Sequence, residues 1–349
     1  MVQSSSKLQY LKRFFAAGSL IVSLNGLNSF TNLANAQVNE MESDSANTPK
    51  REIFHYARKI LDLEKEAGFK VLPFHYKNLD SIINNAKKEV NIEGVAEELK
   101  KEQALNNLKN ISEIFRAHNF IYFSDPDVLF HKALETKKMN SYNFLALYLE
   151  IAEKAGLTLT AKKAGDNYIV EYVLDSEILG WEFVFGIEQD KKLYQKLEKN
   201  KSITLMDKEK FLGIAYRTIG ISFYKQEKCG EAMKYIAKAM NADITEPRTN
   251  KYEGDVYKCL GKDERALDSY NYAIEFEENF FEARAARGEM LYKRGELLKA
   301  LEDYNKSIEL SPSNPELYKT RGDILIKLSD KKKEAQKDYE KALELILKK

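Results

Sequence analysis

The chain has 349 residues, 44% hydrophobic and 31% charged, which is the composition of a folded protein with room for two domains. Its net charge is +1, and removing the three cations Lys7, Lys12 and Arg13, which are the only charges before Glu40, lowers it to −2. A chain so evenly charged has no bulk electrostatic attraction for nucleic acid, so that class of partner is excluded.

The first 36 residues have the pattern of an export signal. A positively charged segment precedes the apolar run FFAAGSLIVSL at 14–24. The sequence Ala-Asn-Ala at 34–36 then matches the small-residue pattern of a signal-peptidase cleavage site. The run is well short of the roughly 20 apolar residues that span a bilayer. We therefore predict a signal peptide at 1–36, a flexible polar segment at 37–50, and a periplasmic or secreted protein without membrane insertion. An organelle transit peptide is the alternative.

Residues 51–201 are predicted to form an α+β domain. Helical periodicity occurs in REIFHYARKILDLEKEAG, at 91–115 and at about 141–155, and the strand-like runs LTLTAKK, NYIVEYVL and GWEFVFG follow. Helices followed by short strands favour a helical layer packed on a small antiparallel sheet.

The segment DPDVLFHKALETKKMNSYNFLALYLEIAEKAGL, within residues 120–186, resembles the bacterial transglutaminase-like (papain-like) superfamily. In that family a Gly-Asn-Cys opens the long helix, a Gly-His begins the next strand, and an acidic residue starts a third. The resemblance places Ser141 at the nucleophile position, Asn167 at the base position and Glu182 at the acid position.

These residues are a degenerate triad. A serine needs a neighbouring base to remove its proton, and the amide of Asn167 is not basic. No histidine or cysteine occurs from Lys132 to Lys228. We therefore expect no catalytic residue, with Ser141 as a helix N-cap and Asn167 and Glu182 as hydrogen-bonded or surface residues. The alternative is a weak hydrolase or transferase that uses Ser141, with His131 as a relocated base.

Residues 211–349 contain a 34-residue repeat. It is carried by four glycines, by a small residue on the following helix, and by a large residue four positions later. The glycines are Gly220, Gly254, Gly288 and Gly322. The small residues are Ala232, Ala266, Ala300 and Ala335, and the large residues are Ile236, Tyr270, Tyr304 and Tyr339. This pattern resembles the tetratricopeptide repeat, a helical hairpin that buries its apolar face only when several copies stack. The predicted fold is therefore an α+β transglutaminase-like domain followed by an all-α solenoid of about four tetratricopeptide repeats.

The first helices of such hairpins line a concave face. Arg217, Lys251 and Lys319 stand in register there, which suggests a basic row for an acidic peptide. An acidic row at Asp255, Glu289 and Asp323 is also in register. These acids lie four residues from Lys251, Lys293, Lys319 and Lys327, a spacing that suits intrahelical ion pairs. We favour a solvated face of paired charges. The asparagine pattern of a chaperone-tail clamp is absent, so that partner is not supported.

The two cysteines, Cys229 and Cys259, fall within the repeats. We favour two small buried residues, and the alternative is a disulfide between repeats in an oxidising compartment. No metal-ligand spacing or cofactor motif is present. The predicted function is an exported, non-catalytic scaffold that binds a protein or peptide through its repeats; a cleft of the N-terminal domain that binds a peptide without cutting it is a second possibility.

Overall fold

The computed structural model describes residues 54–90, 100–123, 125, 127–164, 167–174, 177–182, 187–188, 203–328 and 331–347. Residues Phe54–Lys349 form one compact unit. The predicted signal peptide and polar segment lie outside the described residues. Within those residues, no helix is both long enough and apolar enough to cross a bilayer.

Five helices build the N-terminal part, and the last of them lies at its centre. They are α1 (Tyr56–Glu66), α2 (Pro73–Glu89), α3 (Lys100–Ala117), α4 (Phe130–Thr136) and α5 (Ser141–Lys154). Every residue of α5 from Ser141 to Ala152 is buried. Its sequence is apolar on all sides because it contacts α1, α2 and α3 as well as three strands.

The strands form two sheets. A parallel pair joins β1 (Ile121–Tyr122) to β2 (Lys138–Met139). The larger sheet is antiparallel, in the order β6-β5-β4-β3-β7, with bounds β3 (Leu159–Ala164), β4 (Asn167–Leu174), β5 (Glu177–Glu182), β6 (Ile187–Glu188) and β7 (Ile203–Leu205). Helix α5 packs on β3 and β4, so its N-terminus is held beside the sheet.

Buried glutamates cap two helices whose own N-cap residues provide no side-chain hydrogen bond. Glu64 accepts hydrogen bonds from the backbone N–H groups of Phe130 (2.5 Å) and His131 (3.0 Å) at the start of α4. Glu150 does the same for Ala57 (2.9 Å) and Arg58 (3.3 Å) at the start of α1. A carboxylate at a helix N-terminus satisfies free N–H groups and complements the helix dipole. These two acids therefore tie the helices of the N-terminal part together.

Eight further helices form four consecutive hairpins. They are α6 (Lys208–Tyr224) with α7 (Cys229–Ala242), α8 (Pro247–Cys259) with α9 (Asp263–Phe276), α10 (Phe281–Lys293) with α11 (Leu297–Leu310), and α12 (Pro315–Lys327) with α13 (Lys332–Leu347). Each hairpin packs on the next, and the first helices of the first three hairpins contact one another. The predicted solenoid of helical hairpins is therefore present.

The repeating glycines are the points where the two helices of a hairpin touch. A Cβ atom added at Gly254 would lie 2.5 Å from Tyr270 Cε1, and one at Gly322 would lie 2.8 Å from Tyr339 Cε1. Gly220 and Gly288 oppose Ile236 and Tyr304 in the same way. The 34-residue period therefore reflects one steric requirement: a residue without a side chain must lie opposite each large side chain.

Helix α6 belongs to both parts of the molecule. Its residues Phe211, Ile214 and Ile219 are buried in the same apolar cluster as the core of the N-terminal helices. The ring of Phe211 lies 4.8 Å from that of Tyr142 and 4.9 Å from that of Tyr56, measured between centroids. The sequence suggested two parts, 51–201 and 211–349, and one continuous core joins the described residues of both.

We predict different effects of two glycine-to-alanine substitutions on the free energy of unfolding. Gly254→Ala should lower the free energy of unfolding by about 1–3 kcal/mol, because the new methyl group overlaps the Tyr270 ring. Gly230→Ala is the matched control, since its Cβ meets nothing within 4 Å in α7, and it should be neutral or stabilise by up to about 1 kcal/mol. Urea denaturation measures both. Equal effects of the two substitutions would contradict the steric explanation.

Candidate functional site

A cleft of about 470 Å³ lies between the N-terminal part and the repeats. This volume is within the usual range of ligand sites, roughly 300–1,000 Å³. From the N-terminal part it is lined by Tyr122, Asp127, Asn140, Ser141, Tyr142, Lys163 and Tyr168, and from the first helices of three hairpins by Arg217, Arg248, Tyr252 and Glu282. The cleft therefore exists only because the two parts pack together.

Ser141 lies in this cleft, at the start of α5, but it is not the N-cap. Asn140 is the N-cap, because its side-chain oxygen accepts a hydrogen bond from the backbone N–H of Asn143 at 2.8 Å. The predicted capping role of Ser141 was therefore wrong by one residue. Ser141 is the first helical residue and is buried, with the N-terminus of α5 open to the cleft.

Asn167 and Glu182 lie in neighbouring strands of the larger sheet. Asn167 is the first residue of β4 and pairs with Ala164 of β3. Glu182 is the last residue of β5 and pairs with Ile187, whereas the resemblance puts its acid at the start of a strand. The side chains of Asn167 and Glu182 lie outside the described part of the chain.

The four histidines of the chain all lie in described segments, and none lines the cleft. His131, the proposed relocated base, is buried in α4, where its Nδ1 atom lies 2.8 Å from Glu64 Oε2. His75 and His55 lie near Glu135 (3.0 Å) and Glu150 (3.2 Å). The described lining of the cleft therefore offers Ser141 no imidazole.

The three cations predicted to stand in register have different environments. Arg217 is only 4% exposed and forms an ion pair with Glu246 at 3.3 Å. Lys251 is partly buried and forms the predicted pair with Asp255 at 2.7 Å. The Lys319 side chain is 62% exposed and lies 3.9 Å from Glu316 rather than near Asp323. They do not form one open basic row, and only Arg217 lines the cleft.

Two residues of the acidic row hold the second helix of their own hairpin. Asp255 accepts a hydrogen bond from the Tyr270 hydroxyl at 2.9 Å, and Asp323 accepts one from Tyr339 at 2.8 Å. Burial and the hydrogen bond to Asp323 raise the pKa of Tyr339 to about 12. The expectation of a simply solvated face was therefore wrong for these acids, which join helix to helix.

Glu289, the third acid of this row, forms the predicted pair with Lys293 at 2.8 Å. It also pairs with Lys258 of the preceding hairpin at 2.7 Å. Lys327, predicted to pair with Asp323, instead lies over the Tyr292 ring at 4.3 Å from its centroid.

Two arginine–aspartate pairs in the repeats were not predicted from the sequence. Arg287 makes two hydrogen bonds to Asp303 (2.8 and 2.6 Å), and Arg321 makes two to Asp338 (2.8 and 2.7 Å). Each arginine also donates to an asparagine of the preceding hairpin, Asn271 or Asn305. The signal was available, since each arginine directly precedes a repeat glycine and each aspartate directly precedes a repeat tyrosine. Bidentate pairs of this kind fix helix positions.

A carboxylate whose side chain is only 12% exposed joins the N-terminal sheet to the repeats. Glu246, just before α8, accepts a hydrogen bond from Lys163 Nζ of β3 at 2.7 Å and pairs with Arg217 of α6. Burial opposes ionisation of Glu246, but the nearby charges of Arg217, Lys163 and Arg248 outweigh it and lower its pKa. Lys163 and Glu246 are 83 residues apart, so no local pattern predicts their contact.

A second polar bridge crosses the cleft. The Tyr252 hydroxyl of α8 donates a hydrogen bond to Asp127 Oδ2 at 2.8 Å, and Lys225 Nζ lies 3.8 Å from the same oxygen. Burial and the neighbouring Asp127 charge raise the pKa of Tyr252. Tyr252 and Asp127, which both line the cleft, therefore connect its two walls.

Cys229 and Cys259 form a disulfide whose Cα atoms are 6.2 Å apart, within the usual range. It joins the first residue of α7 to the last residue of α8. The preference for two unpaired buried cysteines was wrong, and the disulfide between repeats is what the structure contains. In the described residues, no group of histidine, cysteine, aspartate and glutamate side chains is arranged to hold a metal ion.

The family model for the TPR repeat matches residues 288–329, from the Gly288 of α10 to the end of α12. These hairpins are tetratricopeptide repeats. The prediction for the C-terminal part is thus confirmed, while the match does not reach the N-terminal part, whose likeness to transglutaminases rests on its sequence motifs. No curated protein matches the chain.

Three solved structures are similar to part of the chain, and two of them are named as TPR structures. MamA is 22% identical, with a TM-score of 0.36 over 45% of this chain and 86% of MamA. The first TPR domain of human RPAP3 is 26% identical, with a TM-score of 0.33 over 36% of this chain and 98% of that domain. YrrB, a TPR protein with an unusual peptide-binding site, is 21% identical, with a TM-score of 0.34 over 44% of this chain and 81% of YrrB.

We predict that Glu246→Gln destabilises the protein by about 3 kcal/mol near neutral pH, because it leaves the buried Arg217 and the partly buried Lys163 without their anion. The pKa of Glu246 is lowered in the folded state, so its contribution is full above its ordinary value of 4.5 and is lost as pH falls through the lowered value. Denaturant unfolding from pH 7 to pH 3 should therefore show the difference from the native protein shrinking in acid.

The matched control is Glu316→Gln, whose side chain is 71% exposed and lies 3.9 Å from Lys319. An exposed pair of this kind should contribute less than about 1 kcal/mol at any pH. A Glu246→Gln effect as small as that of the control would show that the buried cluster does not join the two parts.

Proposed function

We propose that this protein is an exported, non-catalytic interaction protein that binds a segment of another protein. The segment lies in the cleft between the N-terminal part and the first tetratricopeptide repeats, and it continues along the first helices of the array. The single observation that carries the proposal is the cleft itself, a cavity of about 470 Å³ with one wall from each part.

The walls of the cleft are preorganised. The Lys163–Glu246 pair and the Tyr252–Asp127 hydrogen bond both join them, and α6 is fixed in the common core. A rigid site binds with a smaller loss of conformational entropy than one that must form around its ligand. This favours recognition of a partner by shape and polar contacts.

The absence of catalysis follows from the surroundings of Ser141. Its cleft contains no histidine among the described residues, and the amine that it does contain, on Lys163, is in an ion pair with Glu246. Loss of the base of a catalytic triad costs several orders of magnitude in rate. We therefore interpret the N-terminal part as a pseudoenzyme descended from a transglutaminase-like ancestor.

Export is supported by the disulfide between Cys229 and Cys259, because disulfides persist in oxidising compartments. The same compartment is the destination that the signal-like pattern at 1–36 predicts.

Position-specific photo-crosslinking in the native compartment tests the proposed site. A photoreactive phenylalanine analogue at Tyr122, whose side chain borders the cleft and is 44% exposed, should capture one defined protein, identified by mass spectrometry. An analogue at Lys319, on a first helix of the array, tests whether the contact extends that far. Leu298, which is 72% exposed on the second helix of a hairpin, is the control position and should capture nothing specific.

Capture of the same protein from Leu298 as from Tyr122 would contradict a site in the cleft. The absence of any specific product at Tyr122 would do so as well.

A serine-reactive fluorophosphonate probe tests the alternative of a weak hydrolase. We expect no labelling of the native chain beyond that of Ser141→Ala, since nothing described in the cleft is placed to remove the Ser141 proton. A serine hydrolase in the same sample serves as the positive control. Labelling that disappears in Ser141→Ala would establish the hydrolase and overturn the non-catalytic proposal.

A further inference from the structure

The fourth hairpin exposes an apolar residue at a position that the second and third hairpins bury. Leu343 of α13 is 57% exposed. It follows the repeat tyrosine of its hairpin by four residues, as Ile274 does in α9 and Ile308 in α11, and both isoleucines are buried. The three residues therefore occupy equivalent positions in different environments.

The hairpin that follows is what buries these equivalents. Ile274 shares an apolar cluster with Ala283 of α10. Ile308 shares another with Leu317 and Ile324 of α12. The corresponding surface of the fourth hairpin, which no described residue covers at Leu343, is thus a continuation of the surface on which each earlier hairpin receives the next.

Two more apolar side chains extend this surface along α13. Ile346 and Leu347 are also exposed, and they follow Leu343 by three and four residues. Residues at this spacing are neighbours on one side of a helix. We call Leu343, Ile346 and Leu347 the terminal apolar patch, and exposed patches of this kind mark sites of association.

A carboxylate lies one turn before the terminal apolar patch. Glu340 directly follows the repeat tyrosine, as Asn271 and Asn305 do in the earlier hairpins. Each of those asparagines accepts a hydrogen bond from an arginine of the next hairpin. Glu340 is exposed and accepts one from the neutral amide of Gln336 at 3.0 Å. A carboxylate at this position favours an occupant that brings a cation to it.

The charges of α13 are divided along its length in a way that fits a second copy of the chain. Its first part, 332–337, has three lysines and one glutamate, and its second part, 338–347, has three acids and one lysine. Parallel packing of two copies would bring like charges together, whereas antiparallel packing brings the lysines of each copy towards the acids of the other. Asp338 and Glu344 are already paired with Arg321 and Lys341, so Glu340 is the acid that an incoming lysine would meet.

We propose that the terminal apolar patch is a self-association site, at which α13 of one copy packs antiparallel on α13 of a second copy. A two-fold contact requires a surface that is complementary to itself, and an apolar centre on a helix with opposite charges in its two parts meets that requirement. None of the described residues that line the cleft comes from the fourth hairpin. The contact therefore uses nothing that the cleft needs.

Sedimentation equilibrium of the full chain tests the proposal. Because three apolar side chains make a small contact, we expect a reversible dimer with a dissociation constant of about 1–100 μM, measured from about 1 to 300 μM protein. Leu343→Glu should weaken the dimer at least tenfold, roughly the effect of losing one buried leucine. The matched control is Leu298→Glu, at an exposed leucine of α11, which should leave the dissociation constant unchanged.

A charge reversal tests the antiparallel orientation separately. Glu340→Lys should weaken the dimer about threefold to tenfold at low salt, and the difference should fade at high salt because the charges are exposed. Glu302→Lys, at an exposed acid of α11, is the control and should have no effect. Since Glu340 is exposed, this variant keeps the proposal testable even if Leu343→Glu does not fold, which circular dichroism would show.

A chain that stays monomeric at every concentration overturns the proposal, whether or not the terminal apolar patch captures another protein. A dimer that Leu343→Glu and Leu298→Glu weaken equally overturns it too, because the contact would then lie elsewhere. A dimer that Glu340→Lys leaves unchanged at low salt overturns the antiparallel arrangement. Crosslinking from Tyr122 reports on the cleft and is independent of all three outcomes.

Discussion

The burial of helix α6 in the core of the N-terminal part is the constraint on which the rest of the structure depends. Phe211 is 1% exposed, and the Tyr142 hydroxyl donates a hydrogen bond to its carbonyl oxygen at 2.8 Å. Full burial of such an aromatic side chain contributes about 1.5–3 kcal/mol, and Ile214 and Ile219 of the same helix add to it. Because α6 is also the first helix of the solenoid, its packing fixes the direction in which every later hairpin stacks. The two parts cannot be separated without exposing this surface.

The polar bridges across the cleft follow from that packing. Lys163 meets Glu246 and Tyr252 meets Asp127 across 83 and 125 residues of chain. Isolated pairs so distant in sequence would not offset the entropy of bringing their chains together. Once the core has aligned the walls, each pair costs little to form, and it then sets how far apart the walls lie. The disulfide between Cys229 and Cys259 restricts α7 and α8 in the same way within the repeats.

The features predicted correctly from sequence are those with a local period. The spacing from one repeat glycine to the next is visible because each hairpin repeats the same steric contact, such as Gly254 against Tyr270. The helix at 141–155 was also found, but its cap was misplaced, since Asn140 and Ser141 are both good N-cap residues and only the Asn143 N–H distinguishes them. The Lys163–Glu246 contact and the cleft around it depend on tertiary packing, which no local pattern encodes.

The start of helix α5 is the part of the cleft that bears most directly on its chemistry. In the transglutaminase-like family, the N-terminus of the long helix favours a thiolate, and a neighbouring histidine completes the nucleophile. In this chain α5 also begins at the cleft, but its first residue is Ser141 and no histidine lines the cleft. The partial positive charge at the N-terminus of α5 is therefore directed at a cleft whose lining offers no thiolate for it to stabilise. The other wall of the cleft comes from the repeats, through Arg217, Arg248, Tyr252 and Glu282, so the surroundings of Ser141 depend on both parts of the molecule.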